Sequence, residues 1–230
     1  ATSVHTACAS GGQALGTALK AIRRGRVDRV LAGGFDSMIS PVGLAGFCLL
    51  SAVSADNETP ERASRPFDAT RNGFLLGEGA GFVVLEEWEM ARARGARIYA
   101  ELAGDGNSLS SYRITDSPPD GDGPIQAMRQ AIADAGAQLA DVNYLNAHGT
   151  STPMNDRSES AATRAVPRGP FTTCCMPRRT MSRKAGSTPS GAGAGAAVPA
   201  CAGTRRGVTA SPPWAMRAVI TASCKGVAST

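Results

Sequence analysis

Two residues of this 230-residue chain have the chemistry to work as nucleophile and base. Cys8 lies in Thr6-Ala7-Cys8-Ala9-Ser10-Gly11-Gly12, and His148 in Asn146-Ala147-His148-Gly149-Thr150-Ser151-Thr152-Pro153. The small neighbours of Cys8 let a backbone turn sharply and a substrate come close. A thiol is nucleophilic as its thiolate, and the unpaired N–H groups and dipole at a helix start favour that form. The same pattern also suits a small buried cysteine packed before a helix. An imidazole can be an acid, a base or a donor to developing negative charge, or a hydrogen-bonded structural group. Two carboxylates stand out as well. Glu78, inside Gly73-Phe74-Leu75-Leu76-Gly77-Glu78-Gly79-Ala80-Gly81, reads as a buried, paired carboxylate holding loops together or as an acid/base. Asp36 reads as a structural group that caps or orients nearby backbone.

The elements that must position these groups follow from periodicity. Ala14, Leu15, Ala18, Leu19 and Ile22 recur on one helical face, and Arg23, Arg24 and Gly25 mark the end of that helix, so Cys8 falls at its start. Arg29 to Gly34 suits a buried strand with Asp36 at its end. Pro41 to Leu50 is a short helix or apolar loop in which Phe47 reads as core or as pocket lining. Residues 54 to 71 form a surface loop of turn formers and charges. The alternate glycines from 77 to 81 precede a strand and open no helix, which makes a phosphate loop a weak reading. Strands are expected at 82 to 85, 98 to 103 and 142 to 147. Helices are expected at 86 to 94 and 125 to 135, with a long polar loop between 104 and 123. Alternation of this kind predicts an α/β protein with a largely parallel sheet, and His148 then falls at the carboxyl end of a strand, where such sheets bind ligands.

The net charge of +5 is unevenly placed. Residues 1 to 160 hold all 19 acidic residues and 14 basic ones, whereas residues 161 to 230 hold 10 basic residues and no acidic one. That second segment has no leucine, one isoleucine (Ile220) and seven of the 14 prolines. It cannot bury enough apolar surface to offset its ordering entropy, so the domain is expected over 1 to 160 and a largely irregular, basic, low-complexity segment over 161 to 230. Its composition is also what a GC-rich gene yields when read out of frame. Six cysteines without ligand-like spacing and two histidines suggest neither a metal site nor a disulfide framework. No run approaches a membrane span and no signal peptide is evident at Ala1, so a cytoplasmic protein away from membranes is expected. No aromatic interleaving favours a nucleic-acid partner for the basic segment.

Taken together, the Cys8 segment, the run Arg65-Pro66-Phe67-Asp68 through Gly81, and the segment from Asn146 to Pro153 strongly resemble the β-ketoacyl-ACP synthases over residues 1 to about 160. The likeness is to the type II, long-chain elongating enzymes of fatty acid synthesis, and polyketide ketosynthases share it. The resemblance implies a thiolase-like fold of layered α/β/α architecture, here incomplete, and usually a homodimer. It implies acyl transfer from acyl carrier protein to Cys8, followed by decarboxylative condensation with malonyl-ACP to 3-oxoacyl-ACP. His148 would support decarboxylation and stabilise the enolate or oxyanion. Thr150 and Thr152 would lie near malonyl and pantetheine groups, and Phe47 and Phe74 would line the acyl pocket. No redox cofactor or metal is implied, since the substrates ride on the phosphopantetheine of the carrier protein.

The chain also departs from that family. A K-S-x-x-G-H motif and a G-F-G-G-T-N loop belong to the pattern, and neither occurs in these 230 residues; His5 and His148 are the two histidines. A donor to the enolate, a lysine and half of an oxyanion hole are thereby missing. The chain begins a few residues before Cys8, without the family's N-terminal strands. A fragment that does not itself condense is expected. Two other readings stay open: a Cys/His thioesterase-like remnant, and a non-catalytic basic binding protein.

Overall fold

The apolar face of the first helix decides where the core lies. In the computed structural model, which describes residues 1–113, 115–166, 172–173 and 218–224, helix α1 spans Ser10–Arg23 and buries Ala18, Leu19 and Ile22 against Ala32 and Leu85. Leu15, Val30, Val83 and Leu102 pack around this cluster. Complete burial of Leu19, Ile22 and Leu85 contributes about 2 kcal/mol each. Ala32 belongs to strand β1 (Arg29–Ser37) and Leu85 to strand β2 (Glu78–Glu87), so the helix carrying Cys8 at its head lies across the two longest strands.

Beyond β1 come helix α2 (Pro41–Leu49), then β2, helix α3 (Trp88–Ala93), strand β3 (Ala100–Leu102) and helix α4 (Asp122–Asp134). Strand β4 (Tyr144–Leu145), helix α5 (Pro153–Ala165), strand β5 (Thr172–Thr173) and strand β6 (Ala218–Cys224) complete the described elements. The α/β class is as expected, but the direction of the strands is not. In the four-stranded sheet, ordered β1-β2-β6-β3, every ladder is antiparallel, and the parallel pair is the short β4–β5 ladder. The alternation of strand and helix patterns carries no direction. Direction is set by the segment from 38 to 77, which leaves and re-enters the sheet at the same end: Ser37 lies opposite Glu78 and its hydroxyl donates to Glu78 Oε1 at 2.7 Å. Residues 29 to 87 therefore make one long hairpin with a large excursion at its tip.

Two boundaries move for stated reasons. Glu86 and Glu87, expected to start a helix, end β2, because Glu86 Oε1 accepts from Arg29 Nε at 2.7 Å and Arg94 Nη2 donates to Oε2 at 2.6 Å. This fully buried carboxylate clasps β1 to the end of α3, and Arg94 followed by Arg29 holds its pKa down at about 2 from the ordinary 4.5. The segment expected to be irregular from 161 onward contributes the last turn of α5, and the backbone of β6 pairs with both β2 and β3. The run Ala218-Val219-Ile220-Thr221 is β-branched at three successive positions, which suits a strand with a partner on each side. The rest of that expectation, at 167–171, 174–217 and 225–230, lies outside the described residues.

Candidate active site

Cys8 sits in a single tight turn, Ala7–Ala9, directly before α1 and is exposed. The turn is tied by Ser10, whose Oγ accepts from Thr6 N at 2.8 Å and donates to Ala7 O at 2.7 Å. Ala7 is held at φ +50°, a conformation that costs a non-glycine residue of order 1 kcal/mol. Strain of this kind next to a reactive side chain is the mark of a residue held in place by its surroundings. The head of α1 lies tight on the sheet, since a Cβ on Gly34 would stand 3.3 Å from Gly11 Cα.

His148 is delivered by the loop between β4 and α5, and is exposed. Glu159, at the middle of α5, grips this loop by its backbone: His148 N donates to Oε1 at 2.6 Å and Gly149 N to Oε2 at 2.8 Å. Asn155 Nδ2 donates to Oε2 at 2.7 Å and steadies the carboxylate from its own helix. Glu159 and α5 had no place in the sequence reading. The signal for the helix was present, because Thr152 caps it through its side chain and Pro153 takes the first helical position. The clamp itself had no signal, since a glutamate eleven residues from a histidine meets it only once the loop has folded back. Hydrogen bonds from N–H groups to a charged acceptor contribute about 1.5 kcal/mol each, at the lower end of their range where the loop is open to water. Replacing Glu159 by alanine is therefore expected to speed amide exchange at His148 and Gly149 by at least tenfold while leaving the exchange of β1 and β2 unchanged, measured by NMR or mass spectrometry.

A second strap crosses from the Arg65-Pro66-Phe67-Asp68 segment. Ser151 is fully buried at φ +62°; its Oγ accepts from Arg65 N at 3.0 Å and its carbonyl from Gly73 N at 3.0 Å. Asp156 of α5 accepts from Phe67 N at 2.7 Å and pairs with Arg71. Burial pushes the Asp156 carboxyl above its ordinary value, against the opposing pull of Phe67 N–H and Arg71. Two of the three sequence segments that carried the resemblance, the run from Arg65 to Gly81 and the segment from Asn146 to Pro153, are thus joined by hydrogen bonds around the His148 loop.

The remaining candidates separate into groups. Thr150 and Thr152 face each other with hydroxyls 2.9 Å apart, and the Thr152 hydroxyl also accepts from Asn155 N. Phe47 of α2 and Phe74 meet edge to face, with ring centroids 5.5 Å apart at 83°. Phe74 is fixed by its backbone, with its N–H on Ala52 O and its carbonyl on Ser54 N. Glu78 accepts from Ser37 Oγ and, at 3.3 Å, from Ile39 N, so it brackets the excursion between β1 and β2; it is exposed and not buried as the paired-carboxylate reading expected. The reason is that Glu78 opens β2 at the sheet end, where no described layer covers it. Asp36 is likewise exposed, within β1 opposite Gly79, and its side chain makes no hydrogen bond to a described residue.

A cavity of about 480 Å³ is lined by His148 and reaches the residue after Cys8, though Cys8 itself is not part of its lining. Ala9, the neighbour of Cys8, lines it together with His148 and Glu159, while Asn107, Ala127 and Met128 form the wall toward α4. Phe47, Phe74, Thr150 and Thr152 do not line it. The wall at 103 to 107 lies directly on α4, where a Cβ on Gly106 would clash with Ala127 O. Among the described residues, no three His, Cys, Asp or Glu side chains are grouped to hold a metal ion, and no helix is long and apolar enough to cross a membrane.

The turn that presents Cys8 at the head of α1 and the loop that presents His148 are carried on an α/β fold shared with ketosynthases of known structure. A ketosynthase solved in a complex described as "type II PKS acyl-carrier protein in complex with its ketosynthase bound to the hexaketide" superposes with a TM-score of 0.72 at 38% identity, over 75% of this chain and 44% of that one. A β-ketoacyl synthase from Burkholderia phymatum STM815 superposes with a TM-score of 0.66 at 41% identity, over 73% of this chain and 41% of that one. The model of the β-ketoacyl synthase N-terminal domain matches residues 1–91 and that of the C-terminal domain residues 99–208. The chain belongs to the β-ketoacyl synthase family, and its thiolase-like fold is the partial one expected. It is 51% identical over 161 residues to 3-oxoacyl-[acyl-carrier-protein] synthase 2 of Rhizobium meliloti (strain 1021), covering 70% of this chain and 38% of that protein. It is 46% identical over 162 residues to the mitochondrial 3-oxoacyl-[acyl-carrier-protein] synthase of Arabidopsis thaliana, covering 70% of this chain and 35% of that protein. The chain spans less than two fifths of the length of these curated relatives.

Proposed function

We propose that Cys8 is the acyl acceptor of a 3-oxoacyl-ACP synthase site and that His148 serves the second half of the same reaction. The observation that carries this reading is the cavity shared by His148 and the residue next to Cys8. The Cys8 thiolate attacks the carbonyl of an acyl thioester, the carbon–sulfur bond to the carrier breaks, and the carrier thiol leaves with the proton. In the complete reaction malonyl-ACP then loses carbon dioxide, and its carbanion attacks the Cys8 thioester to give 3-oxoacyl-ACP and free the cysteine. His148 donates to the oxygen on which negative charge collects during decarboxylation. These steps balance by movement of electron pairs alone and call for no oxidant, metal or redox cofactor; the substrates arrive on phosphopantetheine.

Acyl carrier protein is the partner this chemistry needs, in line with the carrier complex described for the solved ketosynthase. A homodimer fits β1, an edge strand among the described residues, where Leu31 is 63% and Phe35 79% exposed. A cytoplasmic location, Phe47 and Phe74 on the acyl side, and Thr150 and Thr152 on the pantetheine side belong to the same reading. The chain itself supplies one histidine of the family's pair and not the lysine or the glycine-rich loop, so it is expected to stop at the acyl-enzyme. Incubation with acyl-ACP and malonyl-ACP, followed by mass spectrometry, should show the acyl mass on the Cys8 peptide and no 3-oxoacyl-ACP. Robust 3-oxoacyl-ACP formation would overturn the second half of this reading. The exposure of Cys8 favours a second outcome alongside the first, slow hydrolysis of the acyl-enzyme by water.

A further inference from the structure

Asn107 shares the cavity wall with His148 and Ala9, and its orientation is set from outside the cavity. Its Nδ2 donates to Asp105 Oδ2 at 2.9 Å, and the same oxygen receives the Lys20 ammonium at 2.6 Å. A carboxylate can only accept, so it is the amide nitrogen that must face Asp105 and the amide oxygen that must face away from it. No described residue donates to Asn107 Oδ1. Asp105 is itself well fixed: its side chain is 10% exposed, its N–H donates to Asp134 Oδ2 at 2.9 Å, and Gly16 of α1 leaves the room its carboxylate fills. The chain Lys20–Asp105–Asn107 therefore runs from the helix that presents Cys8 to the wall of the cavity.

The surroundings narrow what that oxygen can take. The neighbouring Ser108 hydroxyl is occupied, donating to Gly123 O at 2.7 Å. Pro124, Ala127 and Met128 make the adjoining wall apolar. A fixed amide acceptor at Asn107 beside the apolar wall of Pro124, Ala127 and Met128 matches a secondary amide, which has one N–H between methylene groups. We propose that Asn107 is a specificity-determining residue of this cavity, its Oδ1 accepting a hydrogen bond from a secondary-amide N–H in the arm of the thioester substrate, with Lys20 and Asp105 as its positioning residues. The proposal rests on the reading of Cys8 as acyl acceptor.

The test compares octanoyl-N-acetylcysteamine with its N-methylated form as acyl donors to the full chain, with Cys8 acylation followed by mass spectrometry. The unmethylated probe should react about five- to tenfold faster, the worth of one hydrogen bond. Asn107→Ala should bring the ratio close to one, and Asp105→Asn should lower it, because an amide at 105 no longer dictates which way Asn107 faces. A wild-type ratio in Asn107→Ala overturns the proposal, and a wild-type ratio in Asp105→Asn overturns the positioning role. If neither probe acylates Cys8, it is the acyl-acceptor reading that fails. Asn107 is then judged by NMR titration with S-methyl-N-acetylcysteamine, where at least fivefold weaker binding to Asn107→Ala is expected and equal dissociation constants overturn the proposal.

Discussion

Replacing Cys8 by alanine is expected to abolish covalent acylation of the chain, with the rate of adduct formation from acyl-ACP falling by at least 10³-fold. The reasoning is chemical: the acyl group has to be held on an atom that can both attack a carbonyl and later leave it, and a methyl group can do neither. The geometry adds that the loss should be specific to this thiol. Cys48 is also free and exposed, but it lies on α2, no residue of which lines the cavity, whereas Ala9 beside Cys8 does. Cys48→Ala should accordingly acylate at the rate of the unchanged chain. Peptide mapping after a short exposure to acyl-ACP distinguishes the two. Acyl transfer that persists in Cys8→Ala, or a label found chiefly on another cysteine, would remove the basis for the proposed function and leave only the family relationship.

The second large effect is on stability and comes from Glu86, which has no part in the chemistry. Its carboxylate is fully buried and receives three short bonds from Arg29 and Arg94, the longest 2.8 Å. Removing it strands two guanidinium groups that are about half exposed, at 53% and 47%, and can turn partly to water. Glu86→Ala should thus cost about 2 kcal/mol, below the 3–5 kcal/mol found when the surviving charge stays buried. The pH dependence has a definite sign. In the unfolded chain the carboxyl titrates near 4.5 and in the fold at about 2, so the stabilisation is complete above 4.5 and is lost as pH falls from 4.5 toward 2. Denaturant midpoints measured between pH 7 and pH 2.5 should fall in the unchanged chain and fall less in Glu86→Ala. Asp156 acts in the opposite direction, since its raised carboxyl pKa takes stability away as pH rises through the range above 3.8. Parallel pH profiles for Glu86→Ala and the unchanged chain would contradict this account.

The two effects separate the scaffold from the site. Glu86 fastens β1 and β2 to α3, on the side of the sheet end where the strands leave the core, and its loss should lower the midpoint without changing the Cys8 reaction in whatever fraction remains folded. Cys8→Ala should do the reverse. The turn that holds Cys8 already carries its own strain at Ala7, so substitution of an exposed thiol by a smaller side chain leaves its ties through Ser10 intact.

Local pattern was enough for the parts of this protein that depend on neighbours in sequence. The face of Leu15, Ala18, Leu19 and Ile22 determined α1, and the small residues around Cys8 determined that a helix would begin just after it, because helical burial repeats every three to four residues whatever the chain does elsewhere. The three segments of the family resemblance likewise needed no fold to be recognised. What depends on distant partners was decided only by the tertiary structure. The antiparallel sheet follows from where the excursion at 38 to 77 returns, which no strand pattern encodes. The exposure of Glu78 follows from its place at a sheet end that no described layer covers, and the burial of Glu86 from two arginines 57 and 8 residues away. The grip of Glu159 on the His148 loop and of Asp105 on Asn107 has the same origin: hydrogen bonds act over about 3 Å in space, and the chain sets those distances only after it has packed.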